Sequence, residues 1–324
     1  MKIISEKEVH AALAYPELIF SLEDAFANSF IMPPRQVFRL DQEGSSHNAL
    51  ALLPSWNQSV IAVKAFTYFP DNKSPKKTLY SKILLFDRTD GEPIAIVDGT
   101  SCTFFRTAGV SALASRFLSR TESSVLLLLG TGNLASFLIQ AHASIRPLKK
   151  ILLWGRTREK AERLAIEMTK KLNGIEFIVV DDIESACGQA DIIVSATGSH
   201  DILVKGSWIR PGTHTDFLGN HHPDKRECDT ELIIKSSVYV DTYVNCYREA
   251  GEILLPIAEG KISTNHVKGE LAELCTGKAR PRTTDSEITL FKSVGSALSD
   301  LVASYQAYSH VVGRMQSHLK SPNN

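Results

Sequence analysis

The chain has 324 residues, 43% of them hydrophobic and 22% charged, with 36 basic and 36 acidic residues. This length and composition allow two domains with separate hydrophobic cores, and the absence of net charge argues against nucleic acid or an anionic membrane as a partner. The N-terminus lacks a signal-peptide core, no apolar run is long enough to span a membrane, and the cysteines form no C-x-x-C pair, so we expect a cytoplasmic protein with free thiols and no metal site.

The residues before about 120 predict a separate unit that contains helices and strands. Ser5 and Glu8 form a capping-box pattern before a short helix, and a second helix has an apolar face. That face consists of Leu18, Ile19, Leu22, Ala25 and Phe26. Strand-like segments follow at residues 36–40, 49–53, 60–67, 83–87 and 93–97, and Pro54 is a turn signal. A helix over about 103–118 leads out of this unit.

The run of residues 125–135, Val-Leu-Leu-Leu-Leu-Gly-Thr-Gly-Asn-Leu-Ala, joins an apolar strand to a glycine turn and a helix start. This pattern is typical of a site for the pyrophosphate of a dinucleotide. Gly130 allows the tight turn, Gly132 lets the backbone approach the phosphates, and Ala135 lets the helix pack closely. A second strand at 150–154 arrives at βαβ spacing. We therefore assign the whole turn to the cofactor site: Gly130, Thr131, Gly132, Asn133, Leu134 and Ala135.

The residues after the second strand indicate which nicotinamide cofactor is bound. An NAD site usually has an acid there for the ribose 2′-hydroxyl, whereas an NADP site needs cations and hydroxyls for a 2′-phosphate. Here the sequence places Arg156, Thr157 and Arg158, with no carboxylate before Glu159. The alternative is a solvated helix start, although cations at a helix N-terminus oppose the helix dipole. We predict NADPH, with NADH as a weaker alternative.

Further strands predict a doubly wound Rossmann-type domain over residues 120–295. They lie near 175–179, 191–195, 214–217 and 238–240, and a last long helix is predicted near 285–310. Ala196, Thr197 and Gly198 follow the fourth strand at the carboxyl edge of the sheet, where a cofactor passes, so we assign them to the cofactor site.

Three cations in the first unit, Arg35, Lys64 and Arg106, lie within or beside apolar segments. A charge in such a setting must be paired, and an anionic ligand is one partner. The alternatives are a snorkelling side chain or a buried salt bridge, and for Arg35, which follows two prolines, an exposed turn. The residue pattern alone favours these alternatives.

Several motifs resemble the ornithine cyclodeaminase/mu-crystallin family. They are Ile83-Leu-Leu-Phe-Asp followed by Gly91-Glu-Pro-Ile-Ala-Ile-Val-Asp98-Gly99-Thr, Phe105-Arg106-Thr-Ala-Gly-Val-Ser-Ala-Leu, Gly130-Thr-Gly-Asn-Leu-Ala, Trp154-Gly-Arg-Thr, Val194-Ser-Ala-Thr197, Val240-Asp241 and Phe291-Lys-Ser-Val-Gly-Ser-Ala-Leu-Ser-Asp300. The resemblance covers nearly the whole chain. It implies an α/β homodimer whose subunits have a smaller α+β domain for substrate binding and dimerisation, over 1–119 with a C-terminal helix about 296–324, and the Rossmann-type NAD(P) domain over 120–295.

The resemblance also implies roles for individual residues. Lys64 and Arg106 match the pair that holds the substrate carboxylate, and Arg35 matches a third ligand of that group. Val294 and Gly295 border the nicotinamide, and Thr107 is assigned to the cofactor site. Whether Lys64 only binds the carboxylate or also protonates the substrate nitrogen is left open.

The family includes several chemistries, and two residues distinguish among them. Ornithine cyclodeaminases keep NAD bound and use an Asp as base, and the archaeal alanine dehydrogenase-like branch also tends to carry an acid there. In the matching segment 218–225, anchored on Pro223, this chain has His221 in that position. With Arg156 in place of an acid, this departure favours the NADPH-dependent ketimine reductase branch.

We therefore expect reduction of Δ1-pyrroline-2-carboxylate, and of its six-membered homologue, to L-proline or L-pipecolate. His221 is a candidate proton shuttle because its ordinary pKa lies near neutrality, although a solvated loop histidine is the alternative. The alternative functions are an ornithine cyclodeaminase, an amino acid dehydrogenase that acts on a 2-oxo acid, and an NADPH-binding protein with little catalysis.

Overall fold

The computed structural model describes residues 1–41, 48–199 and 201–319, with side chains up to residue 313. It divides into two compact units, Met1–Thr107 with Ala297–Asn324, and Ala108–Ser296. The last residues of the predicted C-terminal helix, 320–324, lie outside the described residues. Within the described part of the chain, no helix is long and apolar enough to cross a membrane.

The helices and strands are numbered in chain order. The first nine are β1 (Lys2–Ile4), α1 (Glu6–Ala12), α2 (Tyr15–Ala27), β2 (Gln36–Arg39), β3 (Ala49–Trp56), β4 (Val60–Tyr68), β5 (Leu79–Asp87), β6 (Pro93–Asp98) and α3 (Gly99–Leu118). The others are β7 (Val125–Leu129), α4 (Ala135–Ala143), β8 (Lys150–Trp154), α5 (Arg158–Lys171), β9 (Glu176–Val179), α6 (Ile183–Cys187), β10 (Ile192–Ser195), β11 (His214–Phe217), α7 (Thr230–Lys235), β12 (Ser237–Val240), α8 (Tyr243–Glu249), α9 (Gly251–Ala258), β13 (Val267–Glu270), α10 (Leu271–Cys275), β14 (Thr289–Lys292) and α11 (Ala297–Leu319).

The first unit contains a six-stranded sheet in the order β1-β6-β5-β4-β3-β2, in which only the β1–β6 pairing is parallel among the described strands. Along β4, buried Val60, Ala62 and Lys64 alternate with partly exposed residues. Helix α11 packs across β3 to β6, and α1 and α2 pack against α11. The sheet therefore has one face covered by α11, and Lys64 is on that covered face.

The second unit contains an eight-stranded sheet in the order β13-β12-β14-β11-β10-β7-β8-β9, and every pairing in it is parallel. The chain runs outward from β7 to β8 and β9, and then returns to β10 on the other side of β7. The carboxyl ends of β7 and β10 thus form a topological switch point, where open α/β sheets bind their ligands. The predicted α/β fold class, with a Rossmann-type domain and a smaller α+β domain, is confirmed.

Two predictions about single elements are wrong. Pro54 does not end β3, which continues to Trp56. The pairing of β3 with β2 ends at Leu52, so the missing N–H of Pro54 removes no hydrogen bond to β2. The helix predicted from about 285 begins only at Ala297, and Thr289–Lys292 is instead the buried strand β14 between β11 and β12. A short apolar run cannot be assigned to strand or helix from periodicity alone.

The first unit ends within α3, at Thr107, whereas the sequence analysis places its end at 119. The second half of α3 is bonded to the second unit. Ser111 Oγ donates to the carboxylate of Asp216, and the carbonyl of Leu118 accepts from Thr289 Oγ1 at 2.8 Å. These bonds explain why the helix divides between the two units.

Candidate active site

A cavity of about 280 Å³ lies in the second unit at the carboxyl ends of β7, β8 and β10. It is lined by the last residue of β8 and by residues that follow the three strands: Trp154, Gly130, Thr131, Gly132, Gly155, Arg156, Thr157, Lys160, Ala196, Thr197, Gly198, Ser199 and Leu203. The structure thus brings together three segments that the sequence analysis assigned to the cofactor site. Asn133 and Leu134 continue the glycine turn, and buried Ala135 begins α4.

The glycines of this cavity leave room for a bound dinucleotide. Gly130 has a φ of +114°, and a Cβ there would lie 2.6 Å from the carbonyl oxygen of Ala196. A Cβ on Gly132 would have no atom within 4 Å, so this position faces open space. Leu134, the N-cap residue of α4, makes no side-chain bond to the first amides of the helix, and the turn is closed by backbone bonds from Ala135 N to the carbonyl of Gly132 at 3.0 Å and from Phe137 N to that of Leu134 at 3.1 Å. The residues present therefore fit the pyrophosphate of a nicotinamide dinucleotide.

Cationic and hydroxyl side chains line the cavity near the end of β8. Arg156, Thr157 and Lys160 all line it, and Arg156 is exposed. Arg158 instead forms ion pairs with Glu162, at 3.0 Å, and with Asp181. Lys160, which lies in the first turn of α5 and four residues after Arg156, was not predicted as a site residue from the sequence.

A buried carboxylate, Glu227, holds two loops at this edge of the sheet. Its Oε1 accepts from Ser195 Oγ at 2.7 Å, from Thr197 N at 2.9 Å and from Thr197 Oγ1 at 2.7 Å, while Oε2 accepts from Gly219 N at 2.7 Å. Its own backbone N–H donates to Glu252, which forms a fully buried ion pair with Lys292 at 2.7 Å. Glu227 thereby positions the lining residue Thr197.

A second buried carboxylate, Asp241, shapes the turn before α11. Its Oδ2 accepts from Ser293 Oγ at 2.8 Å, Val294 N at 3.0 Å and Gly295 N at 2.7 Å. Gly295 has a φ of +94°, in the left-handed region that favours glycine. The turn that the sequence analysis assigned to the nicotinamide is therefore fixed by a buried acid. The assignment itself stays a prediction.

His221 follows Asn220 in the loop after β11 and is exposed. Its ring stacks on that of His222 with centroids 5.1 Å apart. Asn220 is buried, and its Nδ2 donates to the carbonyl of Ser199, a cavity-lining residue, at 2.9 Å. The loop is thus bonded to the edge of the cavity, while a catalytic role of His221 stays a prediction.

The first unit contains a buried cluster of two cations and one acid. Lys64 Nζ donates to Thr103 Oγ1 at 2.6 Å and to Asp300 Oδ1 at 3.0 Å, and Arg106 Nε donates to the same Asp300 oxygen at 2.9 Å. Lys64 is 4% exposed, Arg106 8% and Asp300 1%. Lys64 and Arg106, which were predicted to act together, are bonded to one carboxylate in the structure.

The charges and hydrogen-bond donors of the cluster allow it to bind a further anion. Desolvation lowers the pKa of Lys64 to about 8, a shift that Asp300 opposes and Arg106 adds to. Desolvation raises the pKa of Asp300, but the attraction of Arg106 and Lys64 outweighs it and the net shift is downward. Within the described residues, neither terminal amino group of Arg106 has a hydrogen-bond partner. These two groups form a fork of the kind that binds carboxylates in bidentate fashion.

Arg35 and Thr107 lie at the margins of the first unit. Arg35 is half-buried and directly precedes β2. The first residue of β2, Gln36, pairs with Leu52 of β3, and Leu53 of β3 pairs with Lys64 of β4. Adjacent strands are about 4.8 Å apart, so β2 lies two strand spacings, about 10 Å, from β4 in the sheet. Thr107 is half-buried at the unit's end. Their assigned roles stay predictions.

Asp300 was not predicted as a site residue, although the sequence contains a signal for it. Asp300 lies in an apolar helical segment, between Leu298 and the pair Leu301 and Val302, and all four residues are buried. A carboxylate in such a segment needs a cationic partner, as Lys64 and Arg106 do. Matching the lone acid of one apolar segment to the lone cations of two others would have predicted this cluster.

Comparison with known proteins places this geometry in a family. The model of the ornithine cyclodeaminase/mu-crystallin family matches residues 1–314. The chain belongs to this family. It is 49% identical over 308 residues to a Δ1-pyrroline-2-carboxylate reductase from Colwellia psychrerythraea, an alignment that covers 94% of this chain and 98% of the relative. The family resemblance predicted from the motifs is confirmed.

Solved structures of family members agree over nearly the full length. A Δ1-pyrroline-2-carboxylate reductase from Thermococcus litoralis, in complex with NADH and L-proline, matches with a TM-score of 0.90 and 32% identity over 97% of this chain and 98% of its own. An archaeal alanine dehydrogenase dimer with bound NAD matches with a TM-score of 0.89 and 25% identity, over 97% and 96% of the two chains. Within the family, this chain is therefore similar to oxidoreductases that bind nicotinamide cofactors.

Proposed function

We propose that this chain catalyses the NADPH-dependent reduction of Δ1-pyrroline-2-carboxylate to L-proline, and that it also accepts the six-membered homologue Δ1-piperideine-2-carboxylate. One observation carries the proposal. Lys64 and Arg106 are buried and joined through Asp300, and the two terminal amino groups of Arg106 have no hydrogen-bond partner among the residues that the structure describes. The reductase name of a relative that is 49% identical supports the substrate class.

The residues of the first unit bind and orient the substrate in this proposal. Arg106 binds the substrate carboxylate through its fork, and Lys64 adds a second cation. When bound, the reduced nicotinamide supplies a hydride. C2 of the imine gains that hydride and the ring nitrogen gains one proton, so the C=N bond becomes CH–NH. Positioning supplies most of the rate enhancement, because hydride transfer to an iminium needs little further acid-base work.

A proton for the ring nitrogen is available within the cluster. With a pKa of about 8, Lys64 is protonated at neutral pH and is a stronger acid than an ordinary lysine. His221 is the second candidate donor, because an unperturbed histidine titrates near neutrality. Lys64 is the first choice, since it belongs to the same cluster as the carboxylate-binding Arg106.

The residues around the adenosine end support NADPH over NADH. Arg156 and Lys160 offer two cations to a 2′-phosphate, and Thr157 offers a hydroxyl. The Thermococcus litoralis reductase was solved with NADH, so NADH is the cofactor against which preference must be measured.

The free cysteines, four of them buried, support placement in the cytoplasm.

A homodimer formed through the accessible face of the six-stranded sheet is the second part of the proposal. Leu52, Ile61, Val63, Leu84 and Phe86 alternate with buried residues along three neighbouring strands and are only half-buried in one chain. An apolar sheet face of this extent is typical of a protein interface. The archaeal alanine dehydrogenase is a dimer, which supports this partner. Val63→Glu is expected to yield monomers in light scattering after size exclusion, whereas dimeric Val63→Glu would refute this interface.

The test of the function is NADPH oxidation with a panel of substrates. The panel contains Δ1-pyrroline-2-carboxylate, Δ1-piperideine-2-carboxylate, and pyruvate with ammonia or methylamine, with L-ornithine without reductant as the control for cyclodeamination. Lys64→Ala or Arg106→Ala should each lower kcat/KM by about ten to a hundred and fifty times, from the loss of a charge-assisted bond of about 1.5 to 3 kcal/mol. Oxidation with pyruvate and amine alone would indicate an amino acid dehydrogenase. No oxidation with any substrate would indicate a binding protein.

A further inference from the structure

Three charged groups meet in the carboxylate-binding cluster, and their charges do not cancel. Lys64 and Arg106 each carry a positive charge, and both donate to one oxygen of the single carboxylate Asp300. The strands beside Lys64 present Leu53 and Ile83, which pair with it directly and carry no charge. From α3, Thr103 and Cys102 face Lys64, and burial raises the pKa of the Cys102 thiol so that it stays neutral.

Asp300 bonds through only one of its two oxygens. Oδ1 accepts both cations, while Oδ2 is buried and has no hydrogen-bond partner within the described residues. A buried carboxylate oxygen without a donor costs stability, so hydrogen bonding alone does not account for an acid at this position. What the acid does supply is charge. It neutralises one of two buried cations.

We propose that Asp300 leaves the cluster with a single net positive charge, and that it thereby makes the site selective for ligands with one carboxylate over ligands with two. Asp300 also binds Nε of Arg106 and so leaves only the two terminal amino groups for the ligand. It is a positioning residue that acts through Lys64 and Arg106. The identity of the ligand, a ring with a carboxylate beside nitrogen, rests on the proposed function.

Burial makes this charge balance decisive. A second carboxylate in the buried site would find no cation whose charge is still unbalanced. No ion pair would then offset the free energy that its desolvation costs. Without Asp300, the protonated cluster would carry two net charges and would accept a dianion; because Asp300 raises the pKa of Lys64, its removal lowers that pKa, and the ligands are therefore compared at pH 6, where protonation of Lys64 is favoured. Asp300→Asn makes this change with the same shape. The Asn side-chain oxygen can accept from Lys64 and Arg106, and its NH₂ group takes the place of the unpartnered Oδ2.

The test compares two ligands that differ by one charge at nearly equal size. Pyrrole-2,5-dicarboxylate and 5-carbamoylpyrrole-2-carboxylate are titrated calorimetrically into the full chain, with and without NADP⁺. The wild type should bind the carbamoyl monoanion more tightly by at least about tenfold, and Asp300→Asn should shift that ratio toward the dianion by at least about tenfold. Asp98→Asn is the control, because Asp98 also bonds a lysine of this sheet, Lys82, at 3.0 Å. It should keep the wild-type ratio.

A structural role for Asp300 predicts a different result. If Asp300→Asn weakens both ligands equally, the inference is overturned. The double variant Lys64→Met with Asp300→Asn restores a single net charge, so it should recover the wild-type ratio, and it provides the same test if the single variant does not fold. Failure to recover that ratio would also overturn the inference.

The binding test is independent of catalysis. A wild type that shows the expected charge selectivity but does not oxidise NADPH with Δ1-pyrroline-2-carboxylate would refute only the proposed function. A wild type that reduces the imine, with an unchanged ligand ratio in Asp300→Asn, would refute only the role of Asp300.

Discussion

Replacing Lys64 with arginine tests whether the buried lysine controls the pH dependence of the reaction. The pH profile of kcat/KM reports ionisations of the free enzyme and free substrate. Desolvation lowers the pKa of Lys64 to about 8, so the protonated, anion-binding form is lost as the pH rises through that value. At pH 9.5, roughly one Lys64 side chain in thirty remains protonated, and kcat/KM should be about thirtyfold below its neutral-pH value.

Arginine keeps the positive charge and does not titrate in this range. The Lys64→Arg variant should therefore lose the alkaline decrease in kcat/KM between pH 7 and 9.5. Its kcat separates the two roles of Lys64. If Lys64 only binds the carboxylate, kcat at pH 7 should remain near the wild-type value, whereas if it donates the proton, kcat should fall, because a guanidinium is a poor acid.

The assay is initial-rate NADPH oxidation at several concentrations of Δ1-pyrroline-2-carboxylate, at half-unit steps from pH 6.5 to 9.5. Lys82→Arg is the matched control, since Lys82 is a largely exposed lysine of the neighbouring strand and bonds Asp98. It should retain the wild-type profile. An alkaline decrease that persists unchanged in Lys64→Arg would refute the argument, because the titrating group would then be the substrate imine or another residue.

Three further predictions concern the second unit. Arg156→Asp should move cofactor preference from NADPH toward NADH, measured as the ratio of kcat/KM for the two cofactors, and an unchanged ratio would contradict the proposed 2′-phosphate site. Gly130→Ala should lower the melting temperature, because its φ is +114° and its Cβ would meet Ala196, whereas Gly132→Ala should leave the melting temperature unchanged and weaken cofactor binding in a fluorescence titration. Desolvation raises the pKa of buried Asp216 to about 7, above its unfolded value near 3.8, so its contribution to stability is present below about pH 4 and is lost as the pH rises through 7. Asn does not ionise, so Asp216→Asn does not lose stability in this way, and its melting temperature relative to wild type should increase from pH 4 to 8. A difference that stays constant with pH would contradict the raised pKa of Asp216.

The sequence predicted the local framework of both units well, because short-range patterns determine it. The capping box at Ser5 and Glu8 is present, and the glycine turn at Gly130 follows a buried strand as predicted. The failures at Pro54 and at 285–296 have a common cause. Whether a proline is tolerated in β3, and whether residues 289–292 form a strand, depends on the neighbouring strands, which the local sequence does not reveal.

The site shows the same limit. Lys64 and Arg106 could be selected because a cation in an apolar segment is unusual in any context. Their partner is separated from them by 236 and 194 residues, and only the packing of α11 on the sheet brings it near. Lys160 was missed for a different reason, since a lysine in an exposed helix turn is ordinary and gains significance only when the cavity is known.

The buried carboxylates of the two units differ in how completely they are bonded, and this difference indicates what each one does. Both oxygens of Glu227 and both of Asp241 accept hydrogen bonds, so these acids hold loops in place. An amide at either position would turn an NH₂ group toward existing donors and would disturb the loop together with the charge. Among the described residues, no donor reaches one oxygen of Asp300, so an amide there changes the charge and keeps the bonds to Lys64 and Arg106. The substrate cluster is therefore the place where charge can be altered separately from geometry.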